Sequence, residues 1–403
     1  MERRPIIIIG SGPAGSASAL ELQRLNPELA GEVLVLEKAH HPRPKVCAGG
    51  LIPHSLDCLR QLDVPLSVPN VLAHRARVDV PGRTVEYEGH ELCRVVRRDE
   101  FDASLVAVCR ARGVEVREDE KVTALVREGD GVRVESERGS YHARVVVGAD
   151  GSGSMVRREL VPAGRECVGK AIMTDVPQDR IDWSGHRAER YDFSFTAVPA
   201  GLRGYVWAFP CLIAGRPHAN IGVYSVQAAG SGALLYRLLK EELDRLGASG
   251  DWPIKSFPIR WYGRSVRIAA PHVLLAGDAA GVDALMGEGI SYALEYGRRA
   301  AARAANALAT SDFSFAAYER DVADSWLGKK LRRLEMSSRL FYGWSSPLWF
   351  AIAAKSPRAQ EIGIRWYNGV DGWDRRSGWA ALAAWWRGTV KATPAQSSVT
   401  SKP

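Results

Sequence analysis

The residues closest to chemistry in this sequence are six consecutive positions near its N-terminus, Gly10-Ser11-Gly12-Pro13-Ala14-Gly15. They follow the β-branched run Ile6–Ile9 and precede a segment with helical periodicity, as in the turn between a buried strand and a helix. In such a turn Gly10 permits the tight bend, Gly12 lets the backbone approach a pyrophosphate, and Gly15 lets the helix pack on the strand. Because the positive N-terminus of the helix then faces the phosphates, the pattern predicts a dinucleotide site.

An acidic residue stands where the second strand of such a unit ends. Val33–Leu36 is a short apolar run, and Glu37 follows it directly, 22 residues after Gly15. A carboxylate at this point accepts the 2′-hydroxyl of an adenosine ribose and repels a 2′-phosphate. The spacing therefore predicts FAD or NAD rather than NADP at this site.

Two later segments repeat the pattern of an apolar strand followed by glycine and aspartate. They are Val145–Gly151 and His272–Gly281, and Met286–Ile290 then opens an Ala- and Arg-rich helix that we expect to run to about residue 309. An NAD dehydrogenase needs neither segment, whereas an extended FAD does. Asp278 can accept a ribityl hydroxyl, and the amides that follow Met286 can meet the edge of the flavin ring.

The order of these segments predicts an α/β fold, namely a Rossmann-like FAD-binding domain with an inserted, mainly antiparallel β-sheet substrate domain and a helical C-terminal region. Short alternating strands with Gly/Pro turns, such as Gly204–Phe209, form the inserted sheet, which we expect to lie over the flavin. The predicted FAD-binding domain is discontinuous and comprises residues 1–70, 97–164 and 266–310. The substrate domain comprises 71–96 and 165–265, a Trp-rich helical region follows at 311–392, and 393–403 is a disordered tail.

These motifs carry a resemblance to a known group of flavoproteins. The glycine turn and the two Gly-Asp segments resemble those of the FAD-dependent group that includes para-hydroxybenzoate hydroxylase-type monooxygenases and geranylgeranyl reductases. Val96–Asp102 resembles the R-x-x-F-D helix start of that group, which implies that Arg98 lies near the cofactor. Within the group, two stretches are similar to the K-x-C-G-G-G-L and Y-x-W-x-F-P…G signatures of the geranylgeranyl reductase family: Lys45–Leu51, and Tyr205–Pro210 with Asn220–Gly222. The resemblance spans roughly residues 5–310.

The sequence departs from the family pattern at two positions. Ala48 stands where the family usually has Gly, and Ala284 stands where Pro is usual, in a loop that is one residue short. Neither change affects the predicted FAD site. Both stretches are expected beside the reactive ring, so the departures leave the type of reaction open.

The candidate catalytic residues are Cys47, Tyr205 and Trp207. Cys47 or Tyr205 would supply a proton, and the alternatives are an inert buried thiol and ordinary core aromatics. None of the six cysteines is spaced as C-x-x-C, and no histidine completes a zinc or iron–sulfur set, so no metal is expected. We predict that FAD contacts the following residues: Gly10, Gly12, Ala14, Gly15, Glu37, Lys38, Arg98, Val122, Asp150, Gly277, Asp278, Gly287, Gly289 and Ile290.

Three functions remain open at this point. The first is reduction of isolated C=C bonds in a prenyl chain, by hydride delivery from flavin N5 and protonation of the neighbouring carbon. The second is an NAD(P)H- and O2-dependent monooxygenase that hydroxylates or epoxidises an aromatic or prenylated, quinone- or quinolone-like substrate in a water-excluded site. The third is a flavin-bound regulatory or resistance protein without catalysis.

The number of glycine motifs bears on the source of electrons. Only one G-x-G-x-x-G occurs in the sequence, so a second bound dinucleotide is not expected. Electrons would come from NAD(P)H that visits transiently or from a ferredoxin-type donor. The expected partner is a hydrophobic small molecule or lipid.

The composition limits the partners and the cellular compartment that we expect. The chain has 403 residues and a formal charge of +8, but its basic residues are scattered along the whole length, which argues against a nucleic-acid partner. Six cysteines without a framework fit reduced thiols in the cytoplasm. No stretch approaches the ~20 apolar residues of a membrane span.

The C-terminal region has a different character from the rest of the chain. Eight of the twelve tryptophans fall between Trp326 and Trp386, and Lys329–Arg333 is a basic cluster. The plainer interpretation is a pair of helices packed on the FAD-binding domain. The alternative is an apolar substrate tunnel or a peripheral membrane contact, in which the basic cluster meets anionic headgroups.

Overall fold

Two β-sheets of eight strands each organise the part of the chain that the computed structural model describes, residues 1–162, 164, 167–248 and 250–367. The predicted tail at 393–403 and the end of the predicted helical region at 368–392 lie outside the described residues.

In chain order the strands are β1 (Glu2–Ile9), β2 (Val33–Leu36), β3 (Gly50–Leu51), β4 (Asn70–Val80), β5 (Arg83–Val96), β6 (Glu115–Arg117), β7 (Val122–Glu128), β8 (Gly131–Ser136), β9 (Ser140–Gly148), β10 (Val168–Pro177), β11 (Arg190–Ser194), β12 (Gly204–Ile213), β13 (Arg216–Ser225), β14 (Lys255–Arg260), β15 (Ala269–Ala270) and β16 (Val273–Leu275). The α-helices are α1 (Pro13–Leu25), α2 (Pro53–Gln61), α3 (Arg98–Ala111), α4 (Met155–Leu160), α5 (Gly232–Arg245), α6 (Ile290–Thr310), α7 (Tyr318–Asp324), α8 (Trp326–Phe341), α9 (Ser346–Lys355) and α10 (Pro357–Tyr367).

The first sheet has a parallel centre, in the order β16-β9-β1-β2-β6, with β15 at one edge and the β7–β8 hairpin paired to the start of β9. The continuous apolar runs of β1 and β2 are buried on both faces, as expected for strands covered by helices on each side. Ile9 pairs with Leu36 on one side and with Gly148 on the other. The carboxyl ends of β1, β2 and β9 therefore meet at one edge of the sheet.

Helix α1 covers this sheet and is itself covered by α6. Residues 13–22 of α1 are all buried, and most of them are small. Gly297 of α6 packs so closely that a Cβ there would lie 2.4 Å from the carbonyl oxygen of Ala14. Small residues on both helices thus let the two backbones approach each other.

The second sheet is mainly antiparallel, in the order β14-β10-β13-β12-β11-β4-β5-β3, and β11 with β4 is its parallel pair. One face packs on α5 through an aliphatic cluster that includes Leu235 and Leu239. The other face carries an aromatic cluster that includes Tyr191, Phe193 and Phe209. Strand β12 runs beyond its predicted end to Ile213 because β13 pairs with it along its whole length.

The helices after residue 311 pack on both sheets. Leu327 and Leu331 of α8 are fully buried in the core of the first sheet, and Ile364 of α10 joins the aromatic cluster of the second. The plainer interpretation expected a helical pair on the FAD-binding domain alone, whereas the described helices also contact the second sheet. None of the described helices combines the length and hydropathy that crossing a bilayer requires.

The fold class is confirmed, whereas the domain boundaries stay a prediction. The two sheets follow the predicted ranges, except that β3 lies within 1–70 yet pairs with β5 of the second sheet. This strand is two residues long, and it joins the second sheet because the chain from Lys45 to Leu51 crosses between the sheets.

The contact between α1 and α6 gives a test of this packing. Gly297→Val adds branched atoms where even a Cβ clashes with backbone, so we expect the free energy of unfolding to fall by about 3 kcal/mol. Urea unfolding of the purified protein measures this loss. Gly232→Val is the matched control, because a Cβ at this helical glycine meets nothing within 4 Å. Equal stability of the two variants would contradict close backbone contact between α1 and α6.

Candidate functional site

A cavity of about 540 Å³ opens at the edge where β1, β2 and β9 end. The loops after these strands line it, together with the start of α1, residues 43–47, and the loop before α6. Ligands of open parallel sheets bind outside the carboxyl ends of the strands. The location is therefore set by the topology of the first sheet.

The glycine turn holds backbone close to the cavity. Gly10 has φ +96°, and a Cβ there would lie 2.5 Å from the carbonyl oxygen of Ala149. A Cβ at Gly15 would lie 1.9 Å from the carbonyl oxygen of Gly10. Gly12 is the N-cap of α1, and no side chain accepts a hydrogen bond from the first turn of that helix. The first turn can therefore donate to a bound anion.

Glu37 is fixed at the end of β2 by several donors. Its carboxylate accepts hydrogen bonds from the amide and the hydroxyl of Ser11, each at 2.9 Å, and from the amide of Ala39 at 3.1 Å. Arg43 adds an ion pair, with Nε 3.6 Å from Oε1. Glu37 is only 3 % exposed yet lines the cavity, so its carboxylate is held in place for a ligand hydroxyl.

Basic side chains lie near Glu37, because Arg43 also contacts Asp102, the partner of Arg98, at 3.4 Å. Arg98, at the start of α3, is buried and makes a bidentate pair with Asp102 at 2.9 and 3.0 Å. The ammonium of Lys45 lies 3.5 Å from the centroid of the Phe257 ring. Burial lowers the pKa of Lys45 to about 8, and the charge of Asp278 opposes the fall. These basic side chains suit the negative charge of a pyrophosphate or of a reduced flavin.

Two aspartates complete the cavity. Asp150 accepts hydrogen bonds from the amides of Met155 and Val156 at 2.6 and 3.2 Å, so it caps α4. Asp278 accepts one from the hydroxyl of Ser152 at 2.9 Å. Burial raises the pKa of Asp150. Each carboxylate has capacity for a further donor, as a polyhydroxyl chain would supply.

The predicted cofactor-binding residues largely converge on this cavity. All of them line it except Gly15, which packs on the Gly10 backbone, and Gly277, whose Cβ position meets Ala14 and Ala293. Both of these glycines act through packing behind the cavity. Sequence reasoning missed several lining residues: Arg43, Lys45, Lys121, Arg158, Phe257 and Ile259. Lys45 begins the stretch that is similar to the K-x-C-G-G-G-L signature. Nothing in the sequence relates it to Phe257, which belongs to the second sheet.

The described residues fit FAD. The cavity is extended, begins at a helix start with no side-chain cap, and ends at the loop before α6. In addition, Nε of Arg43 is buried and makes no hydrogen bond among the described residues, so it can donate to a bound group. The glycine turn, Glu37 and Arg98 would hold the pyrophosphate and the adenosine. The amides of Gly287–Ile290 would hold the flavin ring.

A second, smaller cavity of about 100 Å³ adjoins the first. Its walls are aromatic and come from the second sheet, residues 46–50, the loop before α6, and Tyr367 of α10. Both cavities share a set of lining residues: Val46, Cys47, Ile259, Gly287, Gly289 and Ile290. The two cavities therefore meet where the flavin ring is expected.

The structure brings the three candidate catalytic residues together in the wall of this second cavity. Cys47 is half-buried and lines both cavities, and its sulfur accepts a hydrogen bond from the amide of Gly49 at 3.3 Å. Trp207 donates to Asn220 at 2.8 Å, and Asn220 donates to Asp175 at 2.7 Å. This chain of hydrogen bonds fixes the indole ring against the sheet.

Tyr205 belongs to a set of three hydroxyls that hold the loop before α6. Tyr205 donates to the carbonyl oxygen of Met286, Tyr342 to that of Leu285 at 2.6 Å, and Tyr224 to that of Ala284 at 3.4 Å. Burial raises the pKa of all three phenols well above the usual value. They therefore act as neutral donors, and the loop is clasped from the second sheet and from the end of α8.

A parallel-sheet dinucleotide cavity with an adjoining apolar chamber defines a flavoprotein of the FAD-binding α/β class. The chain belongs to the family described as the FAD binding domain, whose model matches residues 3–295. It is an FAD-dependent oxidoreductase, and FAD is its cofactor.

Similar proteins include several named reductases. Digeranylgeranylglycerophospholipid reductase 1 of Methanopyrus kandleri is 31% identical over 348 residues, which cover 80% of this chain and 85% of that protein. The menaquinone reductase of Mycobacterium tuberculosis is 29% identical over 325 residues, covering 73% of this chain and 75% of that one. A geranylgeranyl bacteriochlorophyll reductase-like protein from Thermoplasma acidophilum has a similar fold, with a TM-score of 0.75, 22% identity and coverage of 91% and 96%. The resemblance to the geranylgeranyl reductase family is confirmed.

The position of Glu37 generates a binding prediction. If its carboxylate accepts the ribose hydroxyls, Glu37→Gln should raise the Kd for FAD about 10- to 100-fold, because hydrogen bonds to a charged group contribute about 1.5–3 kcal/mol. Titration of the apoprotein, followed by flavin fluorescence, measures the Kd. Glu32→Gln, an exposed glutamate just before the same strand, should leave it unchanged. An unaltered Kd in Glu37→Gln would remove this residue from the ribose site.

Proposed function

We propose that this oxidoreductase reduces C=C bonds in the isoprenoid chain of a lipid or quinone. The observation that carries the proposal is the small aromatic chamber that meets the cofactor cavity at Cys47 and Gly287. Its apolar walls exclude water and suit a hydrocarbon unit better than a polar head. The names of the relatives, which are digeranylgeranylglycerophospholipid and menaquinone reductases, favour reduction over the monooxygenase alternative.

The protein orients the substrate and excludes water from the reacting groups. FAD, when bound and reduced, supplies the hydride. Phe193, Phe209 and Tyr367 close the far side of the chamber, so a prenyl segment that enters would be held against the cofactor side. Holding the reacting atoms in one geometry lowers the barrier by converting an encounter into an intramolecular step.

We assign separate roles to the three candidate residues. Cys47 contacts both cavities and would touch the reacting bond. Trp207, locked by Asn220, shapes the chamber wall. Tyr205 positions the loop before α6, because its hydroxyl proton is already engaged with the carbonyl of Met286. Electrons would come from NAD(P)H or a ferredoxin-type donor.

Peripheral membrane contact is part of the same proposal. Trp344, in the turn between α8 and α9, is 96 % exposed, and Leu348, in the first turn of α9, is 43 % exposed. Exposed apolar side chains of this kind can enter a lipid surface. The basic cluster contributes less than its sequence suggested. Lys330 is only 2 % exposed and lies inside the protein, so it cannot reach a headgroup.

Anaerobic turnover tests the proposed reaction. The reduced yellow protein is mixed without O2 with a geranylgeranylated lipid or menaquinone, and the product is analysed by mass. We expect reoxidation of the flavin and a product heavier by two hydrogens. A strict O2 requirement with the gain of one oxygen would establish monooxygenation instead. Absence of any flavin oxidation by these substrates would favour a non-catalytic flavoprotein.

Tyr205→Phe separates positioning from proton donation. A phenol that only holds the loop leaves one buried carbonyl unpaired when removed, which costs about 1–3 kcal/mol of folding stability. Loss of a general acid would slow turnover by about 10²- to 10⁴-fold. We expect the stability loss, read by urea unfolding, with turnover reduced less than tenfold. Tyr236→Phe, at an exposed tyrosine of α5, serves as the control for both measurements.

A further inference from the structure

Reduction of a C=C bond needs a proton as well as a hydride, and the source of that proton can be sought in the wall of the small chamber. The titratable side chains that line it are Cys47, Tyr205, Tyr224, Tyr367 and Glu288. Burial raises the pKa of the three tyrosines well above the ordinary value, which makes them weak acids. Cys47 and Glu288 remain.

Glu288 lies at the junction of the chamber, the flavin cavity and helix α6. Its two neighbours, Gly287 and Gly289, line both cavities. Its carboxylate accepts hydrogen bonds from the amide of Ser291 at 2.9 Å and from the hydroxyl of Ser291 at 2.7 Å. The carbonyl oxygen of Glu288 also accepts the amide of Asp283 at 3.3 Å. Ser291 of α6 thus fixes the orientation of the side chain. The loop that carries Glu288 is held in turn by the three tyrosine hydroxyls.

The surroundings of Glu288 make it a weaker acid than an exposed glutamate. Burial raises its pKa to about 7, and the charge of Asp283 adds to the rise, while Ser291 opposes it. Asp283 is itself buried, with a pKa raised to about 6 by desolvation. Lys330 of α8 is buried beside both carboxyls, and burial lowers its pKa to about 7. Arg333 further lowers the pKa of Lys330. Burial raises the pKa of the other titratable groups around these carboxyls, and the charges of Glu288 and Asp283 add to the rise; these groups are Cys58, Cys93, Tyr205, Tyr224, Tyr292, Tyr342 and Tyr367.

We propose that Glu288 is the catalytic acid of the proposed prenyl reduction and donates its carboxyl proton to the substrate carbon next to the one that receives the hydride. The proposal rests on the proposed function. In this step the π bond breaks and two C–H bonds form, one from the hydride of reduced FAD and one from the carboxyl proton. FAD is left oxidised and Glu288 is left as a carboxylate, which regains a proton from solvent after the product leaves. Asp283 is a positioning residue, since its charge favours the protonated form of Glu288.

A single-turnover experiment tests this assignment. The reduced holoprotein is mixed anaerobically with the substrate accepted by the wild type, and flavin reoxidation and product are followed across neutral pH. The acid must be protonated to donate, so the wild-type rate should be full below a pKa near 7 and fall as the pH rises through it. Glu288→Gln should react about 10²- to 10⁴-fold more slowly and lose this pH dependence, while reduction of its flavin by dithionite stays normal.

Two further variants provide the comparison. Glu295→Gln alters a buried carboxylate within α6, which pairs with Arg298 and Arg299 and lines neither cavity. It should keep the wild-type rate and pH profile. Cys47→Ala removes the rival donor, and it should keep the pH profile even where the rate falls.

A spectroscopic readout is independent of turnover. In the oxidised holoprotein without substrate, infrared difference spectra should show the carbonyl stretch of a protonated carboxyl that titrates near neutral pH and is absent in Glu288→Gln. Loss of the pH profile in Cys47→Ala, or wild-type kinetics in Glu288→Gln, would overturn the assignment, as would a Glu288 carboxyl that titrates in the ordinary acidic range. These outcomes leave the reductase proposal intact, because the wild type still forms the reduced product. A wild type that reduces no prenylated substrate refutes the proposed function and the proton donation with it.

Discussion

The structure depends on close backbone–backbone contacts at two glycines near the start of the cofactor cavity. A Cβ at Gly15 would overlap the carbonyl of Gly10, and one at Gly297 would overlap that of Ala14. Only glycine permits these approaches, so α1 is wedged between β1 and α6 with its N-terminus at the carboxyl edge of the parallel sheet. The residues after β2 and β9 reach the same cavity because their strands pair with β1 in register.

A second constraint joins the cofactor cavity to the chamber beside it. The loop Asp283–Gly289 forms a wall of both, and its carbonyls are held by the hydroxyls of Tyr205, Tyr224 and Tyr342. Two of these tyrosines come from the antiparallel sheet and one from the end of α8. The inserted sheet and the C-terminal helices therefore fix the loop that lines both cavities, although neither belongs to the nucleotide-binding unit.

The dryness of this region also determines how its ionisable groups behave. Burial lowers the pKa of Lys45 to about 8 and that of Lys330 to about 7, and raises that of Glu288 to about 7. Desolvation disfavours the charged form of each group, so acids and bases converge on the neutral range. In the chamber, where we propose that a prenyl unit binds, the same effect brings the pKa of Glu288 into the range in which a side chain can exchange a proton at physiological pH.

The sequence by itself determined the fold class and the cofactor, and twelve of its fourteen predicted cofactor-binding residues line the cavity. The glycine turn, Glu37 and the start of α6 could be predicted because their geometry follows from neighbours in the chain and from strand order. The tertiary structure alone decided that Lys45 packs on Phe257, that Lys330 of a basic run faces inward, and that Glu288 lines the aromatic chamber. The burial of these side chains and the charges beside them depend on which distant elements pack together. The spacing of residues along the chain does not predict that packing.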